Sequence, residues 1–180
     1  ALAIKEKVLG ADHPDTATSC NNIAMVYSKK GEYDKALELY KKTLAIKEKV
    51  LGLYHPDTTV TYNNIAGVYF HKCEYDKALE GFEKTLAIWE KVLGPDHPFT
   101  ATTYNNIAIV YYNKGEYDKA LGWYVCAFRV FLATLGDDHP TTRTVYENMC
   151  QAYDESGKTE VFKDWLDGKL AESDRCNEKL

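Results

Sequence analysis

The stretch HPDTATSCNNIA, residues His13 to Ala24, recurs along the chain with the same internal order. It returns as HPDTTVTYNNIA from His55 and as HPFTATTYNNIA from His97, and a weakened copy, HPTTRTVYENMC, starts at His139. Successive copies lie 42 residues apart. A fixed period in the range of about 20–50 residues is typical of a solenoid, in which each repeat is one supersecondary unit that stacks on its neighbours.

The recurring stretch predicts the first helix of each repeat. Pro14 suits the first turn of a helix, where its missing N–H is not needed. We expect Asp15 and Thr16 to satisfy the N–H groups of that turn. The predicted helix runs from about residue 15 to residue 30 and stops at Gly31. The apolar side chains of one face recur at spacings of three and four: Cys20, Ile23, Ala24 and Tyr27.

A second helix follows in each repeat and begins near Tyr33. Small residues occupy one repeat position in this helix, at Ala36, Ala78 and Ala120. A methyl group there allows two antiparallel helices to approach closely, whereas a larger side chain would force them apart. One such pair cannot bury its own apolar faces, so stacking of successive pairs is expected to form the core.

The segment NNIAMVYSKKGEYDKALELYKKTLAI, residues 21–46, resembles a tetratricopeptide repeat. The 42-residue period, the LG..HPD connector and the NNIA motif resemble the longer repeat subtype of kinesin light chains. The resemblance covers essentially residues 1–160. It implies an all-α fold, a right-handed superhelical solenoid of antiparallel helix pairs. The signature positions of the family are matched by Ile23, Ala24, Tyr27, Gly31, Tyr33, Ala36 and Tyr40.

The period also predicts the organisation of the chain. Residues 1–10 match the end of the second helix of a preceding repeat, so we interpret the sequence as a piece of a longer array. Three full repeats are predicted at 11–52, 53–94 and 95–136. Residues 137–180 are predicted to form a degenerate fourth repeat with a C-terminal capping helix, interrupted near Gly168. Terminal repeats often change in this way to give the stack a polar end.

Composition argues against several classes of function. Lysine and arginine number 22, aspartate and glutamate 27, and the formal net charge is −5. A nucleic-acid-binding protein would normally carry a basic stripe. No apolar run approaches the roughly 20 residues needed to span a membrane. The five cysteines are unevenly spaced, which favours a reducing, cytoplasmic location over a disulfide framework or a metal site.

The candidate binding residues lie on the first helices, opposite their buried faces. At 100° per residue, Asn21, Asn63 and Asn105 form one predicted ladder, and an amide offers the donor and the acceptor that suit an extended peptide backbone. The resemblance to kinesin light chains implies that this asparagine lines a cargo-binding groove. The second asparagines, Asn64 among them, are expected to bridge adjacent repeats instead. The other candidates for peptide contact are Met25, Lys29, Phe70, His71, Ile109, Tyr112, Asn113 and Glu147.

These candidates predict a non-catalytic scaffold that binds a peptide segment of a protein partner in a concave groove. The resemblance implies cargo or adaptor binding of the kinesin light chain kind. The acidic C-terminal end of the groove favours a ligand with a basic residue there. No phosphate loop, metal-ligand cluster or nucleophile constellation is present, so neither an enzyme nor a cofactor is expected.

Two alternatives remain open at this point. The array could be a structural spacer or self-association element, joined through exposed repeat ends. It could also act as a sensor for a domain elsewhere in a longer chain.

Overall fold

The computed structural model describes residues 7–10 and 12–172 of the chain. Every regular element in these residues is helical, which confirms the all-α prediction. Residues 7–9 are helical ahead of the first complete helix. The complete helices are α1 (Pro14–Lys29), α2 (Tyr33–Leu51), α3 (Pro56–His71), α4 (Tyr75–Leu93), α5 (Pro98–Asn113), α6 (Tyr117–Leu135), α7 (Pro140–Glu155) and α8 (Phe162–Glu172).

The recurring histidines immediately precede α1, α3, α5 and α7 and cap these helices. Each has an extended backbone, and its imidazole Nδ1 accepts a hydrogen bond from the backbone N–H two residues later. The N···N distances are 3.1 Å for His13, His55 and His97 and 3.2 Å for His139. This bond satisfies one of the N–H groups that the first turn of a helix leaves without a partner.

The expectation that the side chains of Asp15 and Thr16 cap α1 was therefore wrong. Asp15 supplies the backbone N–H that His13 accepts. The hydroxyl of Thr16 donates instead to the carbonyl oxygen of Gly10, 3.0 Å away, and so ties the helix start to the end of the preceding helix. The same bond recurs between Thr100 and Gly94 at 2.8 Å.

Contacts divide the chain into two compact units, Ala1–Ile88 and Trp89–Leu180. In the first unit α1 and α2 are antiparallel. The ring of Tyr27, late in α1, lies 5.3 Å from the ammonium group of Lys35, early in α2. The hydroxyl of Thr43, further along α2, donates to the carbonyl oxygen of Ala17 at 3.3 Å. The buried core joins α1, α2 and α3 through Ala24, Ala36, Leu37, Tyr40 and Val68.

The second unit repeats this arrangement with larger side chains. Tyr112 and Tyr117 bring the end of α5 beside the start of α6, with ring centroids 5.5 Å apart. Lys158, just after α7, pairs with Asp118 at the start of α6 at 2.6 Å, so α6 and α7 are antiparallel as well. Helix α8 closes the unit by packing Trp165 onto the ring of Tyr153.

The last helix differs from its prediction. It starts at Phe162, later than the repeat period would place it, and runs without a break through Gly168 to Glu172. The expected interruption near Gly168 was wrong. A glycine inside a helix costs only about 1 kcal/mol relative to alanine, and packing of Trp165 and Leu166 outweighs that cost. The remainder of the predicted cap, residues 173–180, lies outside the described residues, as do residues 1–6 of the predicted preceding repeat.

Replacement of His97 tests the capping role. We expect His97→Ala to lower the free energy of unfolding by about 1 kcal/mol, because the first turn of α5 loses its side-chain acceptor. The matched variant His97→Asn supplies an amide oxygen at the same position and should retain most of the stability. Urea unfolding followed by circular dichroism measures both. Equal losses in the two variants would show that the histidine acts through packing rather than capping.

Two glycines of the first unit provide a matched test of helix packing. A methyl group at Gly81 would lie 2.8 Å from the Cβ of Ala66, whereas one at Gly67 would meet nothing within 4 Å. We expect Gly67→Ala to stabilise the protein by about 0.5–1 kcal/mol through helix propensity. Gly81→Ala should destabilise it, since overpacking costs about 1–3 kcal/mol. Thermal unfolding of both variants measures the difference, and stabilisation by Gly81→Ala would contradict a close approach of α3 and α4.

Candidate peptide-binding surfaces

The predicted asparagines are half-buried rather than fully exposed. The Oδ1 atoms of Asn21 and Asn105 have no exposed surface and no hydrogen-bond partner among the described residues. An acceptor buried without a partner costs about 1–3 kcal/mol. Asn63, at the same repeat position, is likewise half-buried. The side-chain oxygens of Asn21 and Asn105 can therefore accept hydrogen bonds that the surrounding helices do not supply.

In the first unit the structure brings two predicted residues into an aromatic row. His71 stacks on the ring of Tyr33 at 6.0 Å with an interplanar angle of 9°, and Phe70 meets His71 edge-on at 5.4 Å. The ring of Tyr75 continues the row 6.0 Å from Phe70. Tyr33 and Tyr75 were assigned to the repeat signature, so sequence reasoning missed their place beside the candidate residues.

Met25 and Lys29, the remaining candidates of the first unit, are exposed on α1. Met25 shows 43% of its surface to solvent. An unbranched, polarizable side chain at this exposure is able to adapt to different apolar partners. These two residues are accessible as predicted, but they do not join the aromatic row formed by α2, α3 and α4.

In the second unit three predicted residues line one cavity. Ile109, Tyr112 and Asn113 of α5 form one wall, and the Nδ2 of Asn113 donates to the carbonyl oxygen of Ile109 at 2.8 Å. The cavity has a volume of about 230 Å³. Its other walls come from α6 and α7, through Tyr124, Asn148 and Gln151.

Sequence reasoning missed two of these lining residues for specific reasons. Tyr124 lies at the signature position that Tyr40 occupies in the first repeat, so it was not selected as a contact residue. Asn148 is the counterpart of the second asparagine, which was expected to bridge repeats rather than face a ligand. Its sequence signal was present, because it lies three residues before Gln151 on one face of α7.

Glu147 does not join this cavity. It is exposed and borders a separate depression with Phe128, Arg143 and Tyr146. The guanidinium of Arg143 is hydrogen-bonded to Asp138. Glu147 thus contributes to the charge of α7 without contacting the predicted apolar pocket.

Both tyrosines of the cavity remain protonated donors at neutral pH. Burial raises the pKa of Tyr112, and the nearby carboxylate of Glu155 raises it further. Burial also raises the pKa of Tyr124, with a smaller contribution from Tyr112. A neutral phenol can both donate and accept a hydrogen bond, so these hydroxyls provide polar contacts inside a largely uncharged wall.

The described residues provide no evidence for other kinds of site. Among them, no group of three or more histidine, cysteine, aspartate or glutamate side chains is placed to hold a metal ion. Within the same part of the chain, no helix has the length and apolar character needed to cross a membrane.

Solved structures with the same fold include kinesin light chain-like proteins. A point variant of a Podosopora anserina protein of kinesin light chain type, with nearly identical TPR-like repeats, matches with a TM-score of 0.76 and 25% identity over 94% of this chain and 80% of that one. BtubC (BKLC) from P. vanneervenii matches with a TM-score of 0.74 at 19% identity, over 89% of this chain and 67% of its own. This second likeness shows the fold alone.

A more distant structure is the TPR2B domain of yeast Sti1, solved in a complex with pHsp70. It matches with a TM-score of 0.59 at 15% identity, over 77% of this chain and 97% of that domain. At this identity the likeness again shows only the fold. Among curated proteins, none matches the chain significantly.

The family model for the tetratricopeptide repeat matches residues 1–49, 57–131 and 101–161. These segments cover most of the chain and include the helix pairs described above. The chain therefore belongs to the tetratricopeptide-repeat family, a family of non-catalytic scaffolds for protein interactions.

Proposed function

We propose that this protein binds a peptide segment of a partner protein along the exposed faces of α1, α3, α5 and α7. The observation that carries the proposal is the cavity of the second unit, where Ile109, Tyr112 and Asn113 converge. These residues were selected from helical spacing alone. Ile109 and the tyrosine rings give the cavity its apolar surface, and the amides and hydroxyls give it several polar groups, a combination that binding pockets use to fix a ligand.

The asparagine positions supply the second part of the argument. A peptide held by its backbone needs acceptors for N–H groups and donors for carbonyl oxygens, and an amide offers both. The unpartnered oxygens of Asn21 and Asn105 are unexplained by the packing of the chain itself. Because these oxygens have no exposed surface, rotation of the amide toward the exposed face would be needed before a ligand could satisfy them. We assign the same role to Asn63.

The comparisons support the same class of function. The P. anserina protein is of kinesin light chain type, and the TPR2B domain of Sti1 was solved with pHsp70. We therefore propose cargo or adaptor binding of the kinesin light chain kind for this chain. The repeat boundaries at 52/53, 94/95 and 136/137, the right-handed superhelix and the cytoplasmic location remain predictions from sequence.

Selection from a random peptide display library tests this function. The whole chain is the bait, in parallel with the double variant Asn63→Ala/Asn105→Ala. Glu38→Ala/Glu80→Ala is the matched control, because both glutamates are exposed at one repeat position of the second helices α2 and α4. We expect enriched peptides to bind the wild type and the glutamate variant and to lose about tenfold or more in affinity for the asparagine variant, which lacks two backbone contacts.

Two outcomes would count against the proposal. Equal binding of the selected peptides to all three proteins would place recognition outside the asparagine face. Failure to enrich any peptide, together with a molar mass that grows with concentration in light scattering, would favour the spacer or self-association alternative.

A further inference from the structure

The cavity between α5, α6 and α7 is small enough to select a single side chain. Its volume of about 230 Å³ lies below the range of about 300–1,000 Å³ that is typical of pockets for drug-sized ligands. Its lining combines two tyrosines, three side-chain amides and Ile109. The cavity is thus suited to one polar side chain of a partner rather than to a free cofactor or a large apolar group.

Tyr124 brings a hydroxyl to the cavity that the packing of the helix pair does not need. Tyr124 is 2% exposed and lines the cavity, and its hydroxyl makes no hydrogen bond with any of the described residues. Tyr40, at the same position of α2, likewise has no hydrogen bond with the described residues, so Tyr124 is set apart by the cavity that it lines rather than by a missing partner. Phe82 occupies the same repeat position in α4 and is equally buried, at 4% exposure. The helix pair therefore does not require the hydroxyl, which is left available to a ligand in the cavity.

No residue that lines the cavity is charged, so its electrostatic character depends on the charges of the three surrounding helices. On α6, Asp118 pairs with Lys158, Lys119 pairs with Glu116, and Arg129 donates to the carbonyl oxygen of Lys169. Helix α5 contains no charged residue, whereas α7 carries Glu147, Asp154 and Glu155. The only base on α7, Arg143, is paired with Asp138. Lys114, which follows α5, is 3.4 Å from the carboxylate of Glu116.

Glu155 is the carboxylate that matters most for the cavity. Asn148, Gln151 and Glu155 follow at spacings of three and four and so share one stripe of α7. Glu155 does not line the cavity itself, but its carboxylate raises the pKa of the Tyr112 phenol through the charge interaction between them. An anionic ligand would be repelled at this position, whereas a cation would meet a counter-charge and an aromatic ring.

We propose that this cavity binds a lysine or arginine side chain of the partner peptide. The cationic group would lie against the ring of Tyr112, donate hydrogen bonds to the Tyr124 hydroxyl and to the amide oxygens of Asn148 and Gln151, and be balanced by Glu155. Such a position combines cation–π attraction with charge-assisted hydrogen bonds. The inference rests on the proposed function and adds the chemistry of one ligand side chain to it.

Titration with single blocked amino acids tests the inference directly. The probes are N-acetyl-arginine amide and N-acetyl-lysine amide, with N-acetyl-norleucine amide as the uncharged control of similar length. The ¹⁵N-labelled whole chain is followed by NMR through the side-chain amides of Asn113, Asn148 and Gln151. We expect saturable chemical-shift changes with at least one basic probe. The affinity for the norleucine probe should be lower by about fivefold or more, because that probe lacks the charge.

Two variants isolate the proposed contacts. Tyr124→Phe should fold normally, as Phe82 does at the same position, and should weaken binding of the basic probe about threefold to tenfold. Glu155→Gln should have a similar effect through loss of the counter-charge. Tyr40→Phe is the matched control, since Tyr40 is equally buried at this repeat position in the first unit, and it should leave the affinity unchanged.

Other results would overturn the inference. It fails if norleucine amide produces the same shifts as the basic probes, or if Tyr124→Phe binds them with wild-type affinity. The display experiment separates this failure from that of the function. Selected peptides that depend on the asparagines but contain no basic residue would refute the basic pocket and leave peptide binding in place, whereas basic peptides that are lost with Tyr124→Phe would support both.

Discussion

The fold depends on the close packing of the two helices of each pair, which meet at a buried alanine of the second helix. Ala36, Ala78 and Ala120 are each fully buried at one position of the second helices. Between α3 and α4 the separation is so small that Gly81 faces Ala66 with no room for a methyl group. Helices this close leave their larger apolar side chains projecting to either side of the contact. Those side chains are covered only by the next helix along the chain, as α3 covers α1 and α2 through Val68, so stacking follows from the alanine contact.

Two of the interactions that hold neighbouring helices together lie outside the candidate faces. The helix starts are capped by histidines in the connectors, and neighbouring helix pairs are joined by a tyrosine near the start of a first helix. The hydroxyl of Tyr104 donates to Glu90 at 2.9 Å, and Tyr62 makes the equivalent bond with Glu48. Leu132 takes the place of this glutamate before the fourth copy, where Tyr146 packs against Phe128 and Phe162 instead. A structural bond can thus be replaced in one repeat by an aromatic contact that still joins α6 and α7.

The sequence was sufficient to predict the helices, because the prolines and glycines that bound them recur with a fixed period. It was insufficient for contacts that depend on the orientation of one side chain. A histidine before proline gave no sign that its Nδ1 would cap the helix, since capping is usually assigned to serine, threonine, aspartate or asparagine. Gly168 indicated a helix break, but tertiary packing kept α8 continuous.

The candidate site shows the same limit. Helical spacing identified Ile109, Tyr112 and Asn113 because they share an exposed face, and the structure places them in one cavity. Tyr124 could not be found in this way, since its repeat position predicts a core residue and its ring is indeed buried. What distinguishes it from Tyr40 and Phe82, which are equally buried at the same repeat position, is the cavity beside it, and that cavity is a property of the folded unit.

Equivalent positions in the two units differ in chemistry while the helix contacts stay the same. Phe70 and His71 give the first unit an apolar and aromatic surface, joined by Tyr33. Their counterparts, Tyr112 and Asn113, give the second unit a polar cavity instead. Under the proposed function, the asparagine shared by the repeats would hold a peptide backbone, and the side chains that differ between the units would select among peptide side chains.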